Sequence, residues 1–396
     1  MTSTDATFSS LEICAGAGGL AIGLHQAGFR HLALVEIDVH AVETLRQNID
    51  TQPEWEWERT HCDLLPPTDV KKFDPGKHLV KSGEILKRDG LDLLAGGVPC
   101  PPFSHAGKQL GKDDERDLFP RMLQLVALLE PRAVMIENVR GLMDPKFSDY
   151  RDSITARLQG GQYREEDGTL ATDPGLGYTV CKWDVLEASD FGVPQLRPRA
   201  ILVAIRNDVL KDVKYEWPTP THEDPVSVAE ALKDSMLARY KPYFEGLHAE
   251  RAQAAHARWL AAATNRDAEL KGKGGGIAPT LVGGSKKHGG ADLGPSRAKA
   301  AWKQLGVSGM GVANDPETCK KKESEDRDLF GDDGPMLTVE QAAIIQGFPA
   351  GWGFHGGKTA QYRQVGNAFP PPVAAAVGRS VIQVLEAARE RDRASS

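Results

Sequence analysis

The chain of 396 residues is 40% hydrophobic and 26% charged, the composition of a folded globular protein longer than one ordinary domain. No apolar run reaches the ~20 residues that cross a bilayer, and the start MTSTDATFSS lacks the basic and apolar stretches of a secretory leader, so a cytoplasmic protein without membrane contact is expected. The five cysteines, at 14, 62, 100, 181 and 319, show no paired spacing, which argues against a disulfide framework and against structural metal.

The net charge of −7 is unevenly spread: residues 251–310 carry ten Lys/Arg and three acids, a local +7 that leaves −14 on the rest. A basic face on an acidic body can hold a polyanion. A solvated surface segment is the plainer account of the same charge.

In chain order, FSSLEICAG reads as a strand entering a glycine turn, GLAIGLHQAG as a helix closed by Gly28, HLALVEID as the next strand and HAVETLRQNI as a helix. LDLLAGG, AVMIENV, YTVCKWDVLE and RPRAILVAIR follow as strands, with LFPRMLQLVALLEP helical between the first two. Such alternation predicts an α/β fold, a mostly parallel sheet with helices on both faces. Beyond residue 207, the connector YEWPTPTHEDP leads to helical SVAEALKDSMLARY and EGLHAERAQAAHARWLAAATN, then to a glycine- and lysine-rich stretch. The charged segment ETCKKKESEDRDLFGDDGP is expected as a loop. MLTVEQAAIIQGFP restores regular order, and PPVAAAVGRSVIQVLEAARERDR forms a C-terminal helix.

EICAGAGGLAIG lies between a predicted strand and helix, with Glu36 at the end of the next strand. Small residues let backbone amides approach a ligand at a helix N-terminus, and an acid at that spacing can accept both hydroxyls of a ribose. Gly16, Gly18 and Ala21 also satisfy a loose dinucleotide fingerprint, so the turn alone does not separate NAD from another adenosine cofactor. Asp63 is placed to accept from an adenine amino group, though a surface acid before a loop is its plainer reading.

In GGVPCPPFS, Cys100 stands between prolines at the C-terminal end of a strand, where parallel α/β sheets bind ligands. Glu137 and Asn138 close AVMIENV at the same edge, and a carboxyl kept protonated by partial burial can donate to a ring nitrogen. PQLRPRA sets Arg197 and Arg199 two apart at a strand start, on one face, and YRQVGNAFPPP delivers a polar turn with Asn367. A cysteine, an acid and an arginine pair on one edge suit attack on an electron-poor ring.

In order and spacing, ICAGAGGL, VEID, GGVPCPPFS, ENV, QLRPR, LTVEQAAIIQGFP and QVGNAFPPP resemble the DNA (cytosine-5)-methyltransferases of bacterial restriction-modification type. The resemblance implies a Rossmann-like S-adenosylmethionine-dependent sheet with a second, smaller target-recognition domain. The catalytic domain is expected over 1–224, target recognition over 225–335, and a C-terminal segment, 336–396, returning to the catalytic domain. It further implies methyl transfer to carbon 5 of a cytosine flipped out of a specific double-stranded DNA sequence, with Cys100 bonded to C6. Glu137 would act at N3 and the exocyclic amine and Arg199 at O2, supported by Asn138 and Arg197. Cofactor contacts are expected at Cys14, Ala15, Gly16, Gly18, Gly19, Glu36, Ile37, Asp63, Leu64, Gly97, Pro99, Asn367 and Ala368. DNA contacts are expected at Ser104, His105 and Lys108 after the cysteine, at Gln195, and at Lys286, Lys287 and Arg297 in the basic segment. A monomer is expected, with a cognate restriction endonuclease acting on the same site.

Three residues depart from the family pattern: Val98 where Pro is usual, Pro101 where Gln is usual, and Cys14 where an aromatic commonly precedes the cofactor glycines. A tRNA cytosine-5 methyltransferase would share the cysteine and ENV, but the long basic insertion and the missing CFT tripeptide speak against it. Cys100, Glu137 and Arg199 together disfavour a silent DNA-binding relative, and an NAD-dependent oxidoreductase leaves the proline-ringed cysteine without a role. Nothing in 225–335 spells a base sequence.

Overall fold

Seven stretches of the chain pair into one sheet in the computed structural model, which describes residues 8–99, 117–165, 167–270, 276–283 and 291–395. They are β1 (Phe8–Ile13), β2 (Phe29–Val35), β3 (Asp63–Leu64), β4 (Leu93–Gly96), β5 (Ala133–Val139), β8 (Tyr178–Glu187) and β9 (Pro198–Arg206). A separate antiparallel hairpin is formed by β6 (Gly161–Arg164) and β7 (Leu170–Asp173). The sheet order is β3-β2-β1-β4-β5-β9-β8; β1 to β5 pair in parallel and β9 joins β5 antiparallel. Runs such as Leu32–Val35 and Leu93–Ala95 are buried without alternation, as strands covered on both faces require.

Chain order reverses between β1 and β4, which lie side by side while β2 continues on the other flank. In a parallel sheet such a reversal opens a crevice at the strand C-termini. The Cys14–Gly18 turn leaves β1 there and Gly97–Pro99 leaves β4.

Contacts divide the chain into two compact units. The first comprises Met1–Leu186, Pro198–Thr219 and Val373–Ser396. Its core includes Leu11, Ile13, Leu94, Val134, Ile136 and Leu202. Asp92, 3% exposed, accepts from Ser9 N at 2.8 Å, Arg132 Nη1 at 2.6 Å and Arg389 Nη2 at 3.3 Å. This buried carboxylate fastens the C-terminal helix Pro371–Ala394 to the start of the sheet.

The second unit comprises Glu187–Arg197 and Pro220–Pro372. By its contacts, 336–372 belongs here, and only from Val373 does the chain return to the first unit, later than the expected boundary at 336. Its helices include Val228–Tyr240, Ala249–Leu270, Ser296–Gln304, Val339–Gln346 and Lys358–Asn367. Trp259, Trp302 and Tyr240 are among its fully buried side chains. The charged segment expected as a loop instead holds two short helices, Pro316–Lys321 and Glu325–Asp328. Asp315, just before it, caps the first helix, and fully buried Asp328 accepts from Ser324 Oγ at 2.8 Å, Asn314 N at 3.1 Å and Arg327 Nε at 2.7 Å. Among the described residues, no helix is long and apolar enough to cross a membrane.

Candidate active site

The turn after β1 runs through left-handed backbone at Cys14 (φ 55°), Gly16 (φ 54°) and Gly18 (φ 92°) before helix Gly19–Ala27 begins. Glycine takes such angles without a side-chain penalty. Glu36 closes on this turn: Oε2 accepts from Gly16 N at 2.7 Å, and Oε1 accepts from Ile37 N and Asp38 N, both at 2.8 Å. The acid and the turn that the spacing linked are thus in direct contact. Ala15 is buried, whereas the Ile37 side chain is 64% exposed beside the carboxylate. Cys14 occupies the aromatic position, and burial, reinforced by Glu36, Glu12 and Asp69, pushes its thiol well above the usual range.

Asp63, 9% exposed, begins β3. Its carboxylate accepts from Lys81 N, from Ser82 N at 2.9 Å and from Ser82 Oγ at 2.8 Å. No periodicity in the sequence pointed to Lys81 or Ser82. Leu64 follows, partly buried.

At the ends of β4 and β5, Arg199 Nε donates to Glu137 Oε1 at 2.8 Å, with the side chains 13% and 15% exposed. The antiparallel register sets Arg199 opposite Val139, two residues beyond Glu137 and on the same face. Gly97 lies against this pair: a Cβ there would stand 2.9 Å from Glu137 Oε2 and shift the carboxyl. Buried Asn138 donates through Nδ2 to Val98 O at 2.8 Å, tying the end of β5 to the segment that leads from β4 through Pro99 to Cys100. Cys100, Pro101, Ser104, His105 and Lys108 lie outside the described residues. Burial pushes up the thiols of Cys62, of Cys181 (to about 11) and of Cys319.

Arg197 stands one residue before β9 and makes its contacts in the second unit. It is 1% exposed and donates to Leu281 O at 2.6 Å and to Gly366 O and Ala368 O, both at 2.8 Å. Gln195, expected as a DNA contact, lies in the second unit. It is fully buried, donating to Gln346 Oε1 at 2.8 Å and Ile345 O at 3.2 Å and accepting from Leu281 N at 2.7 Å. Gln346 in turn donates to Ala368 O. These side chains knit three distant segments together. Asn367 is the exposed last residue of a helix rather than part of a polar turn, because Lys358–Asn367 continues through QVGN.

The basic window is partly neutralised by acids from outside it. Arg251 pairs with Asp326 at 2.5 Å and Lys303 with Asp333 at 2.6 Å, while Lys299 pairs with Asp292 at 2.7 Å. Arg297 is exposed on helix Ser296–Gln304 and has no ion pair among the described residues. Lys286 and Lys287 lie outside the described residues.

A further titratable cluster, absent from the sequence reading, joins His25, His31 and Glu58, whose ligand atoms lie within 4.8 Å of one another. It does not suit a metal. Both ring nitrogens of buried His31 are engaged, Nδ1 with Ser10 Oγ at 2.9 Å and Nε2 with Ala21 O at 2.9 Å. Burial lowers the His31 pKa to about 4. For Glu58 burial acts upward, but the His25 hydrogen bond and the nearby imidazoles prevail and hold it below the usual carboxylate value.

A family model described as C-5 cytosine-specific DNA methylase matches residues 8–383. The chain is 46% identical over 389 residues to the Type II methyltransferase M.NaeI of Lentzea aerocolonigenes, covering 97% of this chain and 77% of that protein. It is 42% identical over 382 residues to the Type II methyltransferase M.NgoMIV of Neisseria gonorrhoeae, covering 96% and 98%. Among solved structures, an Escherichia coli prophage protein described as a DNA modification methyltransferase superposes with a TM-score of 0.56 at 22% identity, over 96% of this chain and 100% of that one. At that identity the likeness speaks for the fold alone.

Proposed function

Because the chain belongs to the C-5 cytosine-specific DNA methylases, we propose that it methylates carbon 5 of a cytosine flipped out of a specific double-stranded DNA sequence, using Cys100 as nucleophile and S-adenosylmethionine as donor. The observation that carries this reading is the Arg199–Glu137 pair, 2.8 Å apart beside Gly97, at the end of the strand that leads to Cys100.

Carbon 5 of cytosine is a weak nucleophile. Addition of the Cys100 thiolate to C6 makes an enamine of the ring and so renders carbon 5 nucleophilic. Arg199 stabilises the charge gathering at O2 while Glu137 meets N3 and the exocyclic amine. Once carbon 5 carries the methyl group, loss of its proton to a base expels the thiolate and restores the aromatic ring. Burial pushes up the thiols of Cys14, Cys62, Cys181 and Cys319, which disfavours each of them as a nucleophile.

The cofactor turn suits an adenosine group. Gly16 has nothing within 4 Å of the position of a Cβ, and Glu36, just after β2, and Asp63, on neighbouring β3, stand as acceptors. When bound, S-adenosylmethionine supplies an electrophilic methyl group on sulfur. Glu36 holds the ribose hydroxyls and Asp63 meets the adenine. The second unit carries target recognition. Likeness to type II methyltransferases supports a partner endonuclease reading the same site, with the chain acting as a monomer in the cytoplasm.

Incubating unmethylated plasmid with the chain and S-adenosylmethionine, followed by bisulfite sequencing, tests the reading. One recurring sequence should carry 5-methylcytosine; its absence, or methyl groups on RNA only, would overturn it.

A further inference from the structure

We propose that Ser82 is a positioning residue for adenosine recognition, fixing the Asp63 carboxylate so that Oδ1 is kept for the exocyclic amine of the adenine; the inference rests on the reading that Asp63 meets that ring. Ser82 is fully buried. It donates twice to Asp63 Oδ2, from N at 2.9 Å and from Oγ at 2.8 Å. Lys81 N is shared between the two oxygens, 3.0 Å from Oδ1 and 3.1 Å from Oδ2. A carboxylate oxygen has two lone-pair directions, so Oδ2 is fully subscribed while Oδ1 retains room for a further donor.

The position of Ser82 sharpens the point. It is the N-cap of helix Gly83–Asp89, where a serine hydroxyl ordinarily accepts from the first turn of its own helix, yet it makes no side-chain cap. Its hydroxyl is a donor to Asp63, 19 residues away, instead. The helix forgoes its cap and the carboxylate gains a fixed orientation. Without that hydroxyl only the backbone amides of Lys81 and Ser82 hold the carboxylate, and Oδ1 is aimed less firmly at the amine. A 6-aminopurine offers an N–H to Oδ1. A 6-oxopurine offers a carbonyl oxygen and sets lone pair against lone pair.

Calorimetric titration of S-adenosylhomocysteine and of its inosine counterpart tests this. Wild-type protein should bind the adenosine compound ~10–100-fold more tightly, the value of a hydrogen bond to a charged group. In Ser82→Ala that preference should fall by ~3–10-fold, mainly through the adenosine compound. Ser82→Gly, which suits an N-cap and leaves no side chain, should do the same if the alanine variant fails to fold. A merely structural role would lower the melting temperature and both affinities together with the preference intact, and that outcome overturns the inference. Wild-type protein that binds the two compounds equally would remove the adenine contact at Asp63 itself, and the inference with it.

Discussion

Arg199 Nε meets Glu137 Oε1 at 2.8 Å across two antiparallel strands, so the guanidinium and the carboxyl present one polar face where β4 and β5 end. Two residues separated by 62 positions in sequence thereby act as a unit. Asn138, next to Glu137, holds the strand end that leads to Cys100 through Val98 O.

Glu137→Gln should lower single-turnover methylation by ~10²–10³, the usual cost of removing a group that stabilises charge in the transition state. The dissociation constant of S-adenosylhomocysteine should stay near that of wild type, since Glu36 follows β2 and Asp63 lies on β3, away from Glu137 on β5. Equal losses in rate and cofactor affinity would mean that the substitution disturbs the fold of the site rather than its chemistry.

Acid should weaken the protein through His31. Its folded pKa of about 4 lies below the ordinary 6.5, so the unfolded chain binds the proton first as pH falls. The stability contributed by the neutral imidazole is complete above the unfolded value and is lost progressively between about 6.5 and about 4, amounting to ~3 kcal/mol. Melting temperatures over that range should fall less steeply for His31→Gln, whose amide can still donate to Ala21 O. Parallel curves would remove His31 as the source.

Gln195 and Arg197 should behave as fasteners. Gln195→Ala is expected to cost ~1–3 kcal/mol by stranding Leu281 N and its other partners, and Arg197→Met ~3 kcal/mol by taking the guanidinium from Leu281 O and Gly366 O, while Ala368 O keeps the Gln346 amide. Chemical denaturation reads both. An undiminished stability with weakened DNA binding for Gln195→Ala would restore it as a DNA contact.

Of the described cations in the basic window, exposed Arg297 has no acid beside it, whereas Lys303 is paired with Asp333. Arg297→Ala should shrink the slope of log K against log salt by about 0.9, the value for one phosphate contact, and Lys303→Ala by less. Fluorescence anisotropy with a labelled duplex measures both slopes. An unchanged slope for Arg297→Ala would move the phosphate contacts elsewhere in the second unit.

What the sequence disclosed follows from how local each signal is. The β1 turn and its helix were legible because glycines and apolar spacing mark them within a dozen residues, and Glu36 because its spacing from the turn is a regular one. The burial of Gln195 is not legible because a polar residue beside arginines resembles a surface, while its partner Gln346 lies 151 residues away. The basic window was overcounted for the same reason: Asp326 and Asp333 come from a segment read separately as a loop. Ser82 was invisible, since a buried serine donating to a distant acid leaves no period in the chain.

The account turns on Cys100 as the nucleophile, and trapping on DNA that carries 5-fluorocytosine at the target site tests it most directly. Fluorine cannot leave carbon 5 as a proton does, so in the presence of S-adenosylmethionine wild-type protein should form an adduct that survives a denaturing gel, and Cys100→Ala should form none. An equally stable adduct with the alanine variant would contradict the assignment.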